Sequence, residues 1–137
     1  MLLGMTESQS NPAAESASGS ASAFSEEQAI RDIAEVPAVE IISSAAVHLM
    51  SAAAVKCGLA EDTETERAAD LTDLDEARKL ITALAGLVTA GATEIGDHHA
   101  RPLRDGLRSL QLAFREASAI PDAPGQGPGE KFTGPVR

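Results

Sequence analysis

Aromatic residues are nearly missing from this chain. It has no Trp or Tyr, and of its three Phe only Phe114 lies outside the segments that read as tails. A core must therefore be assembled from Leu, Ile, Val and Ala. Such a core favours close-packed helices, because strands select β-branched and aromatic side chains while Ala and Leu are strong helix formers. The chain reads as all-α: a small three-helix hairpin or bundle with a short N-terminal helix and disordered tails.

Three stretches follow from composition. Residues 1–24 are a disordered acidic, Ser/Ala-rich tail, because a segment with so few large apolar groups cannot offset its ordering entropy. Residues 25–118 form the helical domain. Residues 119–137 are a Pro/Gly-rich tail, expected to be extended or disordered; eight of the last 17 residues are Pro or Gly. No internal repeat is visible.

Within the helical domain, Ser25-Glu26-Glu27-Gln28 reads as a capping box that opens a short amphipathic piece, stopped or kinked at Pro37. The first long helix is expected from Ala38 to Cys57, with Gly58 as its C-terminal cap. Its polar groups, Glu40, Ser44, His48 and Ser51, occupy one narrow seam, so it is apolar over most of its girth. A mobile acidic loop follows at 58–72. Asp73-Leu74-Asp75-Glu76 is a second capping box, and its helix runs to about Ile95. One face carries Leu80, Ile81, Leu84, Leu87 and Val88. The opposite face, Thr82, Ala83, Gly86, Thr89, Ala90 and Thr93, is small and uncharged. Two such faces call for two partners, one of them a second copy of the chain. Gly96 ends this helix, and Pro102 fits the first turn of the third, where a missing N–H does no harm.

The formal charge of −10 is unevenly spread. Residues 1–36 carry six acids and one base, a net of −5, and residues 59–76 carry eight acids and one base, a net of −7. Residues 97–118 carry three acids and four bases, a net of +1. The overall field opposes bulk binding to nucleic acid or an anionic membrane. One cysteine excludes an internal disulfide framework and fits a reducing, cytoplasmic setting. The first residues lack the basic and apolar regions of a signal peptide, and translation could begin at Met1 or Met5.

Candidate chemistry is sparse. Asp97-His98-His99 lacks the third and fourth ligands of a metal site, and no metal or other cofactor is expected. Cys57 follows Lys56 at a helix C-terminus, where the dipole raises a thiol pKa. The acidic loop lacks the spaced ligands and central Gly of a calcium loop. Residues 36–55 are long enough to span a bilayer, but Glu40, His48 and abundant Ala and Ser argue against a membrane span. No catalytic constellation appears, and the chain reads as a non-enzyme.

The third helix offers the one outward-looking pattern. Leu103, Leu107, Leu110, Phe114 and Ala117 form an apolar stripe. Arg101, Arg104, Arg108 and Arg115 form an edge beside it, gathering four of the chain's eleven cationic groups. The edge is either a solvated face, with pairs such as Asp105–Arg108, or a docking edge for an acidic protein surface or RNA phosphate. No aromatic residues accompany the arginines, which leaves the nucleic-acid signal weak. In the tail, Phe132 stands alone among Pro and Gly, as an aromatic anchor of a short linear motif or an incidental residue.

EVPAVEIISSAAVHLMSAAAVKCGLAE, DLDEARKLITALAGLVTAG and PLRDGLRSLQLAFREA with IPDAPGQGPGEKFTGP occur in that order. In this combination the chain resembles actinobacterial members of the domain-of-unknown-function 1844 family, over about residues 35–135. The resemblance implies a small helical domain with no assigned activity and no catalytic residues to carry over. It also implies a link to translation, since such genes often neighbour those for translation initiation factor three and ribosomal proteins. Family members commonly end the tail in an aromatic residue; here Val136-Arg137 stands instead.

The leading expectation is thus a cytoplasmic, non-enzymatic adaptor or accessory protein linked to translation. It would dimerise through helices 38–57 and 74–96 and present Arg101, Arg104, Arg108 and Arg115 to a protein or ribosomal partner. Two alternatives are a small enzyme or ligand carrier with an interhelical pocket around His48 facing His98-His99, and a peripheral membrane protein using the first helix.

Overall fold

The computed structural model describes residues 26–27, 29–30 and 33–136. The segment 1–24, and Ser25 and Gln28 of the first capping box, lie outside the described residues. The chain divides into two compact units, Met1–Pro37 and Ala38–Arg137. In the first, residues 33–35 are helical and Pro37 lies outside the helix.

The second unit is an antiparallel three-helix bundle: α1 (Ala38–Lys56), α2 (Leu74–Ile95) and α3 (Asp97–Ala117), followed by a one-turn helix α4 (Glu130–Thr133). No strand occurs among the described residues. α1 ends in a two-bond cap built on Gly58. The Gly58 N–H donates to the Val55 carbonyl at 3.0 Å and the Leu59 N–H to the Ala54 carbonyl at 3.0 Å. This arrangement needs the left-handed φ of +87° that Gly58 supplies. The acidic loop that follows is folded on itself rather than loose. Asp62 accepts the Ala68 N–H, Thr63 and Glu66 close a turn, and residues 68–71 form a 3-10 turn.

Asp73 caps α2, accepting the Glu76 N–H at 3.2 Å. The reciprocal half of the box is not made. The Asp73 N–H donates to the Lys56 carbonyl at 2.8 Å, tying α2 to the end of α1, and the Glu76 carboxylate accepts from Lys79 instead.

The core is aliphatic. Ile81 and Leu84 of α2 are fully buried and pack with Leu103, Leu107, Leu110 and Phe114 of α3. Burying a side chain of that size contributes about 1.5–3 kcal/mol. Ala46, Ala53, Ala77, Ala85, Ala92 and Ala100 share the core and let the helix backbones approach closely. Gly91 receives Ile42 of α1, and Gly106 of α3 receives the Met50 methyl. On α1 only Ala46 and Ala53 are fully buried; Val39, Ile42, Leu49, Met50 and Ala54 are partly buried against the core, while Ile41 and Val47 are 42% and 52% exposed. With a mean hydropathy of 1.6, α1 has the length and composition of a membrane-crossing helix.

Two further details differ from the sequence reading. Pro102 lies well inside α3 rather than in its first turn, because α3 begins immediately after Gly96. Gly96, at φ +84°, ends one helix and starts the next without an intervening loop. The second difference is larger. The described residues 119–136 are not an extended or disordered tail: they fold back onto α2 and α3 and belong to the same compact unit. Their high Pro and Gly content serves tight turns, at Gly125 and Gly129 with φ of +85° and +75°.

Candidate functional site

The C-terminal segment and the third helix together build a cleft. Its floor is Val88 of α2, Leu107 of α3 and Val136; Thr89 and Thr133 add hydroxyls; Phe132 and Pro135 form one lip, and Arg104 and Arg108 the other. The cleft volume is about 400 Å³. It is a half-open recess of mixed lining, apolar at Val88, Leu107 and Val136, with hydroxyls at Thr89 and Thr133 and guanidinium groups at its rim.

Local physics explains each wall. Arg104 and Arg108 are one helical turn apart, so both project along the same edge of α3. Arg104 reaches back to Asp97 at 3.3 Å, an exposed pair that orients the side chain without burying it. Phe132 lies against α2 where Gly86 has no side chain; a Cβ on Gly86 would stand 3.4 Å from the ring. The ring remains 43% exposed, and Lys131 Nζ lies 5.2 Å from its centroid.

The structure divides the four arginines. Arg104 and Arg108 share the cleft with Phe132. Arg101 lines a different, shallow depression with His98, Pro102 and Asp105. Arg115 turns to the C-terminal segment, donating to the Asp122 carbonyl at 3.4 Å. Phe132 itself packs on its own chain as a wall of the cleft, instead of projecting from a free tail. Gly86 and the Thr82 hydroxyl, from the small uncharged face of α2, are taken up by this segment: Thr82 accepts the Gly129 N–H at 3.2 Å. That part of the face has its partner within the molecule; Ala83, Ala90 and Thr93 remain exposed.

Two buried polar residues are missed by the sequence patterns: Gln111, in the cleft lining, and Glu130, in a separate small recess. Gln111 interrupts the apolar stripe of α3 and is 2% exposed. Its amide donates to the Pro128 carbonyl at 3.0 Å and to Thr133 Oγ1 at 3.1 Å. Glu130 is 7% exposed. One carboxylate oxygen accepts the N–H groups of Gly125 (3.0 Å) and Gly127 (2.8 Å), and the other accepts that of Val136 (2.8 Å). Burial pushes its pKa up, but the bonds from Val136, Gly127 and Gly125, with the charge of Arg115, outweigh burial and hold it below the ordinary glutamate value. The signal for Gln111 was available: a polar residue at i+4 from Leu107 and i−3 from Phe114 must find partners when buried. Glu130 had no periodicity to betray it.

The remaining candidates stay apart. His48 is exposed, in a shallow depression lined by Ser43, Ser44, Val47 and Ser51, all from α1. His98 and His99 pack edge to face at 5.3 Å at the start of α3, away from that depression's lining. An interhelical pocket centred on His48 is therefore not formed. Among the described residues no three His, Cys, Asp or Glu side chains gather as a metal site. Cys57 is buried, and burial raises its thiol pKa, which disfavours the thiolate at neutral pH.

Compared with known proteins, no curated protein and no solved structure matches the chain. The profile of one family, described as a domain of unknown function (DUF1844), matches residues 38–116, which takes in α1, α2 and all but the last residue of α3. With more than half of its length matched, the chain belongs to the DUF1844 family.

Proposed function

We propose that this protein is a non-enzymatic docking module whose cleft takes an extended acidic peptide segment bearing apolar side chains. One observation carries the reading: Arg104, Arg108 and Phe132, from separate parts of the sequence, line the same cleft over an apolar floor. Guanidinium groups offer bidentate bonds to carboxylates, and the recess beside them accepts an apolar group. The cationic rim lies in a region of net positive charge, residues 97–118, within a chain of −10, so an acidic segment is steered toward it and away from the acidic stretches 1–36 and 59–76. RNA fits less well, because one aromatic ring seated on Gly86 provides no stacking series.

The test is fluorescence anisotropy with full-length protein and a labelled peptide alternating Glu with Leu or Phe. Saturable binding that weakens about tenfold or more in R104E/R108E supports the reading, in line with the loss of charge-assisted bonds. A single-stranded RNA oligonucleotide in the same assay is the rival: RNA binding without peptide binding overturns it.

Self-association through α1 and a cytoplasmic, translation-linked role belong to the same proposal. Residues 41–55 of α1 contain no Asp, Glu, Lys or Arg, and Ile41 and Val47 are exposed. Two copies meeting there would avoid the repulsion that the rest of the acidic surface imposes. Sedimentation velocity should show a dimer that V47E converts to monomer. A strict monomer at tens of micromolar removes self-association, and partition of the protein with neutral liposomes would assign α1 to lipid instead. Co-sedimentation with ribosomes, lost in R104E/R108E, would support the translation link.

A further inference from the structure

We infer that the segment 124–136 is a detachable wall that assembles the cleft, and that Glu130 and Gln111 are the positioning residues that hold it in place. The wall supplies Phe132, Thr133, Pro135 and Val136 to the lining, so without it the cleft opens to a bare groove between α2 and α3. Its attachment is unusually polar. The Glu130 carboxylate gathers the N–H groups of Gly125, Gly127 and Val136, joining the two ends of the segment around one side chain. Gln111 then fixes that closed loop to α3 through Pro128 and Thr133, and Thr82 fixes it to α2 through Gly129.

The apolar part of the attachment is limited to Pro128 and Val136, which are buried, and to the covered part of Phe132, which is 43% exposed. A segment held mainly by directional bonds docks in one register or not at all. Losing one multi-bond acceptor releases several N–H groups together. The helices keep their own core: Ile81, Leu84, Leu107 and Leu110 pack among themselves. Release of the wall is therefore a local event, separable from unfolding of the bundle.

As far as it concerns ligand binding, this inference rests on the proposed docking function; the attachment of the wall does not. The experiment therefore reads both in full-length protein. Hydrogen exchange at the amides of Gly125, Gly127 and Val136 reports the wall, and anisotropy with the acidic-apolar peptide reports the site. In E130Q and Q111L, exchange at these amides should rise about tenfold or more while helical circular dichroism melts as in the wild type. Peptide affinity should fall by a similar factor, with E130D recovering part of both. R104E/R108E should lose peptide binding with exchange unchanged.

Wild-type protection retained in both E130Q and Q111L overturns the inference. So does a released wall with undiminished peptide affinity, and so does collapse of the whole helical signal in both variants, which would make the segment part of the core. If the wild type binds no peptide yet E130Q releases the wall, the docking function falls and the positioning roles stand.

Discussion

Gly129 touches Ala85 so closely that a Cβ built on Gly129 would stand 2.7 Å from the Ala85 Cβ. The same glycine has φ +75° and places its N–H on Thr82. The contact marks where the C-terminal segment meets the middle of α2. Both constraints exclude a side chain: the left-handed backbone disfavours one, and the space does not exist.

Gly129→Ala is expected to weaken docking of the segment by about 1–3 kcal/mol, the range for a non-Gly residue held in a strained backbone region. The cost falls on the segment rather than on the bundle. Exchange of the amides of residues 125–136 should accelerate, while amides of Ile81 and Leu84 keep their protection. Equal acceleration at both places would show that the segment and helices open as one unit.

Glu130 gives that segment a pH dependence of definite sign. Its pKa in the folded protein lies below the ordinary value of about 4.3 for the free side chain. A depressed carboxyl favours the folded form when ionised. Its contribution is fully present above the ordinary glutamate range and is lost as pH falls through the lower, folded value. The groups near it are Arg115, whose charge favours the carboxylate, and Asp122, which lines the same small recess. Protease cleavage within 124–136 should therefore rise as pH falls below the ordinary glutamate range, measured with an acid-active protease such as pepsin. E130Q should be cleaved readily at all pH values tested, with no such rise. Equal pH profiles for the two proteins would rule out Glu130 as the source.

Much of this architecture was legible in the sequence, because the relevant forces are local and periodic. The α2 cap at Asp73, the Gly58 stop and the Leu103–Phe114 stripe follow from spacing and backbone chemistry alone. The segment 119–136 was not legible for the opposite reason. Its order comes from a few long-range bonds, such as Gln111 to Thr133 and Thr82 to Gly129, which leave no repeat in the sequence. Pro and Gly are shared by disordered tails and tight turns, so composition favoured the wrong member of the pair. The candidate site inherited this blindness: Arg104 and Arg108 were visible as an edge, but only the folded segment brings Phe132 beside them.

Arg78 and Asp122 hold the start of the C-terminal segment. Both Asp122 oxygens lie 3.1 Å from the same guanidinium nitrogen, and the guanidinium carbon sits 4.9 Å from the Phe114 ring centroid. The Arg78 side chain is 43% exposed, so solvent screens much of the attraction. A double-mutant cycle with R78A and D122N, read by urea midpoint, should give a coupling of about 0.5–1 kcal/mol. R78K should lose most of that coupling, because an ammonium lacks the planar face that stacks on Phe114. Full retention in R78K would show that charge alone carries the pair.

Asp73 and Glu76 test the half-closed capping box. Asp73 satisfies the Glu76 N–H, and its own N–H is taken by the Lys56 carbonyl. Asp73→Ala removes the side-chain acceptor that caps α2, and replacement of such a cap costs about 0.5–2 kcal/mol. Glu76 does not return a bond to the Asp73 backbone; its carboxylate pairs with exposed Lys79. Glu76→Ala should therefore shift the urea midpoint much less than Asp73→Ala. The bond from the Asp73 N–H to the Lys56 carbonyl is backbone to backbone and survives in D73A, so the loss should stay at the start of α2. Exchange at Cys57, Gly58 and Leu59, whose N–H groups close the end of α1, should stay unchanged in both variants. An equal midpoint shift for both variants would mean that Glu76 closes the box in solution after all.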